Sequence, residues 1–378
     1  MRVALITESA RSGGVTNVVF DLAVGLREGG HEVMVASSGG PELHKLSAAG
    51  ARHFLAPLED RGIRGIIRSR RKLAGAFKEF KPDIVHTQNR YLSLLSTSTG
   101  RIPDVTTHHL DRFMTPYWFD HGLLRRLISV WGRRVITLDE TARQMVVKEF
   151  NLPPERVIVV PNGVDAKKYQ LPTREERDGA RRRFGLSDAD RVAVYVGQFE
   201  SWKRPDLCVK SLAYAVEHGA DSARLLMVGD GKLLPPVKAL SRQLSVEDRC
   251  VFTGWSDPLA AYHAGDFLVL PSEAEGWSLA CVEAMLCGLP VLRTRRGGWR
   301  EQIIEGKTGW SVEVGQDEEL FKKFTRALAS RDIMRECGLS AREHALKNFT
   351  LDVFVGNMLA VYEKILGEKR GKTGKSPA

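Results

Sequence analysis

FLVLPSEAEGWSLACVEAMLCGLPVLR, residues 267–293, is the stretch from which the rest of the chain can be read. It opens on four apolar residues, 267–270, the length of a buried strand. A loop follows, then a helical pattern from Ser278 to about residue 287, then a second apolar run at 290–293. Strand, helix, strand is the unit of a parallel sheet. A helix N-terminus offers unpaired backbone N–H groups and about half a positive charge, which makes it a cradle for phosphate. Glu275 lies just before this helix and Glu283 inside it. Phosphate beside acceptors for hydroxyl groups describes a sugar nucleotide.

The same alternation extends in both directions. Toward the N-terminus, residues 3–7, 31–36, 83–87, 104–108 and 134–138 read as strands, with helical stretches at 15–29 and 141–150. A second series reads as strands at 191–197, 224–229, 250–254, 267–270 and 290–293, with helices at 205–217, 233–244, 258–263 and 278–287. Two such series predict an α/β chain with two doubly wound parallel sheets. Between them lie PNGVD (161–165), a turn signal, and a charged helical stretch at 173–183, where the linker is expected. Phe354, Met358, Leu359, Tyr362 and Leu366 recur at helical spacing. The predicted domains are 1–165 with a final helix at 350–366, and 166–349. The Lys/Gly-rich residues 367–378 are expected to be disordered.

The chain has 378 residues, enough for two domains. Its net charge is +10, which favours anionic partners: nucleoside diphosphates or an anionic membrane. No nucleic-acid motif is present, so nucleic acid is not expected. Five scattered cysteines without a CxxC argue for a reducing compartment, against a disulfide framework and against zinc. The N-terminus lacks a signal-peptide layout, and no stretch approaches the ~20 apolar residues of a membrane span. A cytoplasmic location is expected.

Glu275, seven intervening residues and Glu283, followed by EAM…G…PV, resemble the donor site of retaining, nucleotide-sugar-dependent glycosyltransferases of family 4. That resemblance implies the GT-B fold, two Rossmann-like domains facing across a cleft. It implies a UDP- or GDP-sugar donor and a glycan, glycolipid or small-molecule acceptor, in cell-envelope glycan, polysaccharide or glycolipid synthesis. No cofactor and no metal are expected. Glu275 would contact the donor sugar and Glu283 the ribose hydroxyls. The backbone amides of Gly276, Trp277, Ser278, Leu279 and Ala280 would hold phosphate and sugar.

Other motifs fall where the resemblance needs them. SGGV (12–15) places Gly13 and Gly14 for close approach to the diphosphate. It is not the dinucleotide fingerprint, because the glycines are adjacent and no third follows in place. GQFESWKRP (197–205) supplies Lys203, with Arg204, as cations for the leaving diphosphate. The family commonly has Arg where this chain has Gln198; Arg204 is the expected substitute. TTHHLD (106–111) supplies a histidine near the sugar's primary hydroxyl, His109 by spacing and His108 otherwise. His86 also ends a strand and reads as structural. VFTGW (251–255) resembles the base-binding strand end, with Phe252 in it and Trp255 able to stack. DAD (188–190) reads as a solvated turn, not a metal-binding pair. Attack on the same face, with the leaving phosphate taking the acceptor's proton, is the implied route. The alternatives are a nucleotide-sugar epimerase and a non-catalytic subunit of the same fold.

Residues 61–81 carry Arg61, Arg64, Arg68, Arg70, Arg71, Lys72, Lys78 and Lys81 against Glu79 alone. Ile63, Ile66, Ile67, Leu73, Phe77 and Phe80 recur at the spacing of a buried helix face. The cations would then point outward, toward an anionic membrane, making the protein peripheral on the inner face of the cell membrane. Aromatics in FMTPYWF (113–119) could join that surface or bind acceptor.

Overall fold

The computed structural model describes residues 1–11, 13–100, 102–109 and 131–373, with side chains described through Glu368. The 113–119 segment therefore lies outside the described residues. The chain divides into two units, one from Met1 to Gly163 with the helix starting at Leu351, the other Val164–Thr350.

The first unit holds strands β1 (Arg2–Ile6), β2 (Glu32–Ser37), β3 (Arg52–Leu55), β4 (Ile84–Thr87), β5 (Asp104–His108), β6 (Arg134–Thr137) and β7 (Val157–Val159). They form one parallel sheet in the order β3-β2-β1-β4-β5-β6-β7. Its central strands are buried on both faces, which is why they read as unbroken apolar runs. The second unit holds β8 (Arg191–Val196), β9 (Ala223–Val228), β10 (Cys250–Gly254), β11 (Phe267–Leu270), β12 (Val291–Thr294) and β13 (Gly309–Val312), ordered β10-β9-β8-β11-β12-β13. Each order reverses direction beside its first strand, so the loops after β1 and β4, and after β8 and β11, diverge there and leave room for a ligand.

Three strands escaped the sequence pattern. β3, β7 and β13 are short edge strands; β3 and β7 are half-exposed for most of their length and β3 mixes polar with apolar residues. The helices Asp317–Ala329 and Arg331–Asn348 were also not foreseen.

The charged helix Arg174–Arg183 is not free linker. It packs in the second unit, where Arg177 meets Asp266 at 2.7 Å and the buried Arg181 donates to the Ala264 and Asp190 carbonyls, at 2.8 Å each. Asp190 is likewise not solvated: it is buried, accepts from Ser187 at 2.6 Å and pairs with Arg224 at 3.3 Å. The sequence reading missed both because Ala264, Asp266 and Arg224 are far away in the chain.

The last helix runs Leu351–Thr373, past the expected end at 366. Val355 packs where Gly25 leaves no room for a Cβ, and Tyr362 and Ile365 are fully buried. Glu368 then pairs with Arg134 at the start of β6, which anchors helix that composition alone would leave frayed. In the helix Ile63–Phe80, Leu73, Ala76, Phe77 and Phe80 face the core. Ile63 and Ile67 do not: they are 80% and 63% exposed.

Candidate functional site

All strands of the second sheet are parallel, so β8 and β11 deliver their following loops to the same edge. After β8 the chain makes a short turn, Ser201–Lys203; after β11 it makes the 271–278 loop. The two loops are tied together, because the Trp202 carbonyl accepts from the Glu273 amide at 2.7 Å. From the other side, Thr294 donates to the Ser272 carbonyl at 2.5 Å and Arg296 to the Glu273 carbonyl at 2.9 Å. The loop is thus held at fixed points before any ligand arrives.

This framework brings Lys203 and Glu275 together at 2.6 Å, with Ser272 donating to the same carboxylate oxygen at 3.4 Å. The pair is mostly shielded, Lys203 being 20% and Glu275 10% exposed. Removing one partner would strand the other charge, at a cost well above that of an exposed pair.

Arg204 has φ 49°, in the left-handed region. Its guanidinium grips both oxygens of Asp206 at 3.0 Å and Glu273 at 2.5 Å. Those hydrogen bonds raise its pKa above the usual arginine value. Where the sequence offered Arg204 as a phosphate cation, the structure pairs it with the two carboxylates Asp206 and Glu273, while Lys203 is paired with Glu275 alone. Gln198 is exposed and offers no cation.

The helix Leu279–Leu286 begins at Ser278, whose hydroxyl accepts the Cys281 amide at 3.2 Å and caps it. Gly276 precedes the cap, and the buried Trp277 packs edge-on against Phe349 with ring centroids 5.3 Å apart. Leu279 and Ala280 form the first turn, so their amides are among those a helix cannot satisfy internally. Glu283 projects one turn on. Tyr262 donates to its carboxylate at 2.8 Å, and Tyr169 also hydrogen-bonds it. Burial pushes the Glu283 carboxyl up, against the opposing pull of Tyr262, the Lys168 charge and Tyr169. Neither tyrosine was visible as functional in the sequence: each is isolated and remote from 271–291. Phe252, in β10, is half-buried against Phe199 and beneath Lys238, while Trp255 just beyond is 75% exposed.

In the first unit, Gly13 precedes the helix Gly14–Glu28, and neither glycine has an atom within 4 Å of the place a Cβ would take. Backbone there can be approached closely. Ser12 lies outside the described residues, as do Leu110 and Asp111 of the histidine motif. His109 bonds the buried Gln88 at 2.6 Å, whereas His108 packs on Trp131, with ring centroids 5.5 Å apart. Desolvation, then the neighbouring His108, lowers the His109 pKa to about 3, so it is a neutral ring at physiological pH. His86 is fully buried between Tyr362 at 2.7 Å and Thr107 at 2.6 Å. Burial holds it at about 3. Among the described residues, no group of three or more His, Cys, Asp or Glu is placed to hold a metal.

Residues 12–168 match the family model described as Glycosyltransferase Family 4, and residues 176–344 that described as Glycosyl transferases group 1. Over 226 residues, 59% of the chain, it is 30% identical to the N-acetyl-alpha-D-glucosaminyl L-malate synthase of Bacillus anthracis. Over 244 residues, 62% of the chain, it is 30% identical to a D-inositol 3-phosphate glycosyltransferase of Gordonia bronchialis. These alignments span 58% and 52% of the two relatives. A glycosyltransferase from Rickettsia africae superposes with a TM-score of 0.82 at 22% identity, over 97% of this chain and 98% of that one. HepE of Anabaena, solved with UDP, does so with a TM-score of 0.82 at 18% identity, over 96% and 100%. The chain belongs to the family 4 glycosyltransferases and has their GT-B fold.

Proposed function

We propose that the chain moves a sugar from a nucleoside-diphosphate sugar to an acceptor hydroxyl, retaining the anomeric configuration and needing no metal. The observation that carries this is the second unit's edge: the Lys203–Glu275 pair and the tyrosine-held Glu283 flank one capped helix N-terminus. Glu283 accepts from the ribose hydroxyls; Tyr169 and Tyr262 fix its orientation. Amides from Gly276 to Ala280 receive diphosphate, and Glu275 receives sugar hydroxyls. As the glycosidic bond breaks, charge accumulates on the departing diphosphate. Lys203 offsets that charge more in the transition state than in the ground state, which is what accelerates the step. The departing phosphate oxygen takes the acceptor's proton. Gly13, Gly14 and the neutral His109 keep the roles implied by the family resemblance.

The donor is a UDP- or GDP-sugar; HepE, a fold relative, was solved with UDP and with UDP-glucose. Acceptors include glycans, glycolipids and small molecules. The names of two relatives contain L-malate and D-inositol 3-phosphate, both small anions, and an anionic acceptor suits a chain of net charge +10. An epimerase reading finds no support in the names of the relatives, a synthase and a glycosyltransferase. Incubation with a panel of nucleotide sugars tests the proposal. The true donor at 100 times its dissociation constant adds ~2.7 kcal/mol of stability. It should be hydrolysed or transferred in EDTA, with the first product's anomeric proton showing retention by NMR. Inversion, or activity lost in EDTA and restored by a divalent ion, would contradict the proposal.

A second reading concerns the helix Ile63–Phe80. Arg64, Arg68, Arg71, Lys72 and Lys78 face outward with no ion pair among the described residues. Ile63, Ile67 and Leu55 are exposed, Leu55 on the edge strand β3. A groove of about 680 Å³ runs between, lined by His53, Leu55, Arg68, Arg71 and Lys72. Cations beside exposed apolar groups suit an anionic membrane surface, at ~1 kcal/mol per near-surface cation. No helix among the described residues is long and apolar enough to cross a membrane. The protein should co-sediment with phosphatidylserine vesicles, not with phosphatidylcholine ones, and detach as salt rises. Binding that persists when Arg68, Arg71 and Lys72 are replaced by Gln would exclude this face.

A further inference from the structure

We infer that Arg293 is a positioning residue for the donor loop, and that its buried, carboxylate-free charge adds to anion binding at the N-terminus of the helix Leu279–Leu286. The inference rests on the donor-site reading above and names a residue outside it.

Arg293 is the third residue of β12, in an apolar run where Val291 and Leu292 are both buried. It is itself 2% exposed, one of the largest fully enclosed side chains after Trp131. Enclosing a guanidinium is destabilising unless its donors are satisfied. Here they are satisfied almost wholly by neutral oxygens: the carbonyls of Arg296 at 2.5 Å, Gly297 at 2.9 Å and Thr294 at 3.3 Å, and the side-chain oxygen of Gln302. No carboxylate pairs with it among the described residues. Carbonyl dipoles solvate a cation without cancelling its net charge, so the field of Arg293 extends beyond its cage.

That cage backs directly onto the donor loop. A Cβ on Gly297 would lie 2.0 Å from the Glu275 carbonyl oxygen and 2.3 Å from that of Gly276. One on Gly298 would lie 2.4 Å from the Trp277 ring. The backbone that Arg293 grips is therefore the wall against which Glu275, Gly276 and Trp277 rest. A second arm runs through Gln302, fully buried, which accepts from Arg293 and donates to the Ser278 carbonyl at 3.0 Å. Ser278 is the helix cap. One side chain thus fixes the loop at Glu275 and, through Gln302, at the cap, and places a full positive charge behind the phosphate cradle. In a medium of effective dielectric about 20, a unit charge roughly 10 Å away changes anion affinity by about tenfold.

Gln302→Glu keeps an acceptor for Arg293 and neutralises its charge but gives up the donor to the Ser278 carbonyl; Gln302→Met gives up that donor without adding a charge, so the difference between the two variants reads the charge. Arg293→Met removes the charge and its hydrogen bonds together, and Arg293→Lys keeps the charge with fewer donors. The probes are UDP and GDP, with uridine and guanosine as uncharged counterparts, titrated by calorimetry into the full chain. Relative to Gln302→Met, Gln302→Glu should weaken whichever diphosphate binds about tenfold while changing its nucleoside by less than twofold. Arg293→Met should weaken the diphosphate at least as much, and Arg293→Lys should recover most of the loss. Diphosphate affinity in Gln302→Glu equal to that of the wild type or of Gln302→Met, or equal losses for nucleoside and diphosphate, would overturn the inference. Glu283→Ala serves as control: if it weakens both nucleoside and diphosphate while Gln302→Glu weakens neither, only the Arg293 inference fails. If neither diphosphate binds the wild type, or Glu283→Ala changes nothing, the donor-site reading fails with it.

Discussion

The candidate site of the second unit holds its charges in opposition, while His86 and His109 of the first unit are held neutral. Lys203 faces Glu275 at 2.6 Å, Arg204 is clamped by Asp206 and Glu273, and Glu283 is gripped by two tyrosines. His86 and His109, at the carboxyl ends of β4 and β5, are both depressed to about 3. The contrast suggests a division of labour in the proposed reaction. Charge stabilisation belongs to the unit that would carry the departing diphosphate, and the other unit supplies neutral hydrogen bonds that shape and select.

The largest expected break of this contrast is Lys203→Ala. Turnover should fall by one to two decades, ~1.4–2.7 kcal/mol, because the leaving charge loses its cation and Glu275 loses its partner. Arg204→Ala should cost less turnover than Lys203→Ala, since Arg204 acts through Asp206 and Glu273. If the two are equal, the assignment of Lys203 as the leaving-group cation is wrong.

Next comes Tyr262→Phe. Removing one donor to Glu283 leaves Tyr169 in place, so nucleotide affinity should fall several-fold, in the range of ~0.5–1.5 kcal/mol for one hydrogen bond. A loss as large as that of Glu283→Ala would mean that the tyrosine, not the carboxylate, does the reading.

pH sharpens the comparison further. Glu283 binds its proton more tightly folded than unfolded, so the group favours folding at acid pH and costs stability as pH rises through its raised value. Glu283→Gln should therefore leave neutral-pH stability unchanged or raise it while weakening nucleotide binding; a clear loss of stability would contradict the burial argument. The histidines carry the opposite sign. Their folded values lie below the unfolded 6.5, so the stability they allow is complete above about 6.5 and is lost as pH falls toward 3. The smallest effect follows: His109→Gln should lower turnover by less than about tenfold. It should not remove any limb near pH 6.5, because His109 does not titrate there. A wild-type limb near 6.5 that vanishes in this variant would show a charged histidine at work.

The two units also differ in how much of them could be read from sequence. The strand, loop and capped helix around 267–286 were legible because they are contiguous, so the candidate residues Glu275, Ser278 and Glu283 fall within one short stretch. What holds them was not. Tyr169 and Tyr262 are separated from Glu283 by many residues, and Arg293 looks like the polar end of an apolar strand until its carbonyl cage is seen. The pairing of Arg204 with Asp206 and Glu273 was hidden for a related reason: in sequence a basic residue beside Lys203 looks equivalent to it. The short edge strands β3, β7 and β13 stayed hidden because edge positions relax the demand for unbroken apolar residues.

The proposed donor site is tested most directly by calorimetric titration of the free nucleoside diphosphate and its intact nucleotide sugar into the wild type, Glu283→Ala and Glu275→Gln. Glu283→Ala should weaken both ligands by at least tenfold, as expected for charged hydrogen bonds of ~1.5–3 kcal/mol to the ribose they share. Glu275→Gln should leave the diphosphate within about twofold and weaken only the sugar-bearing donor. Unchanged affinities in Glu283→Ala, or equal losses of both ligands in Glu275→Gln, would contradict the placement of ribose and sugar at this edge.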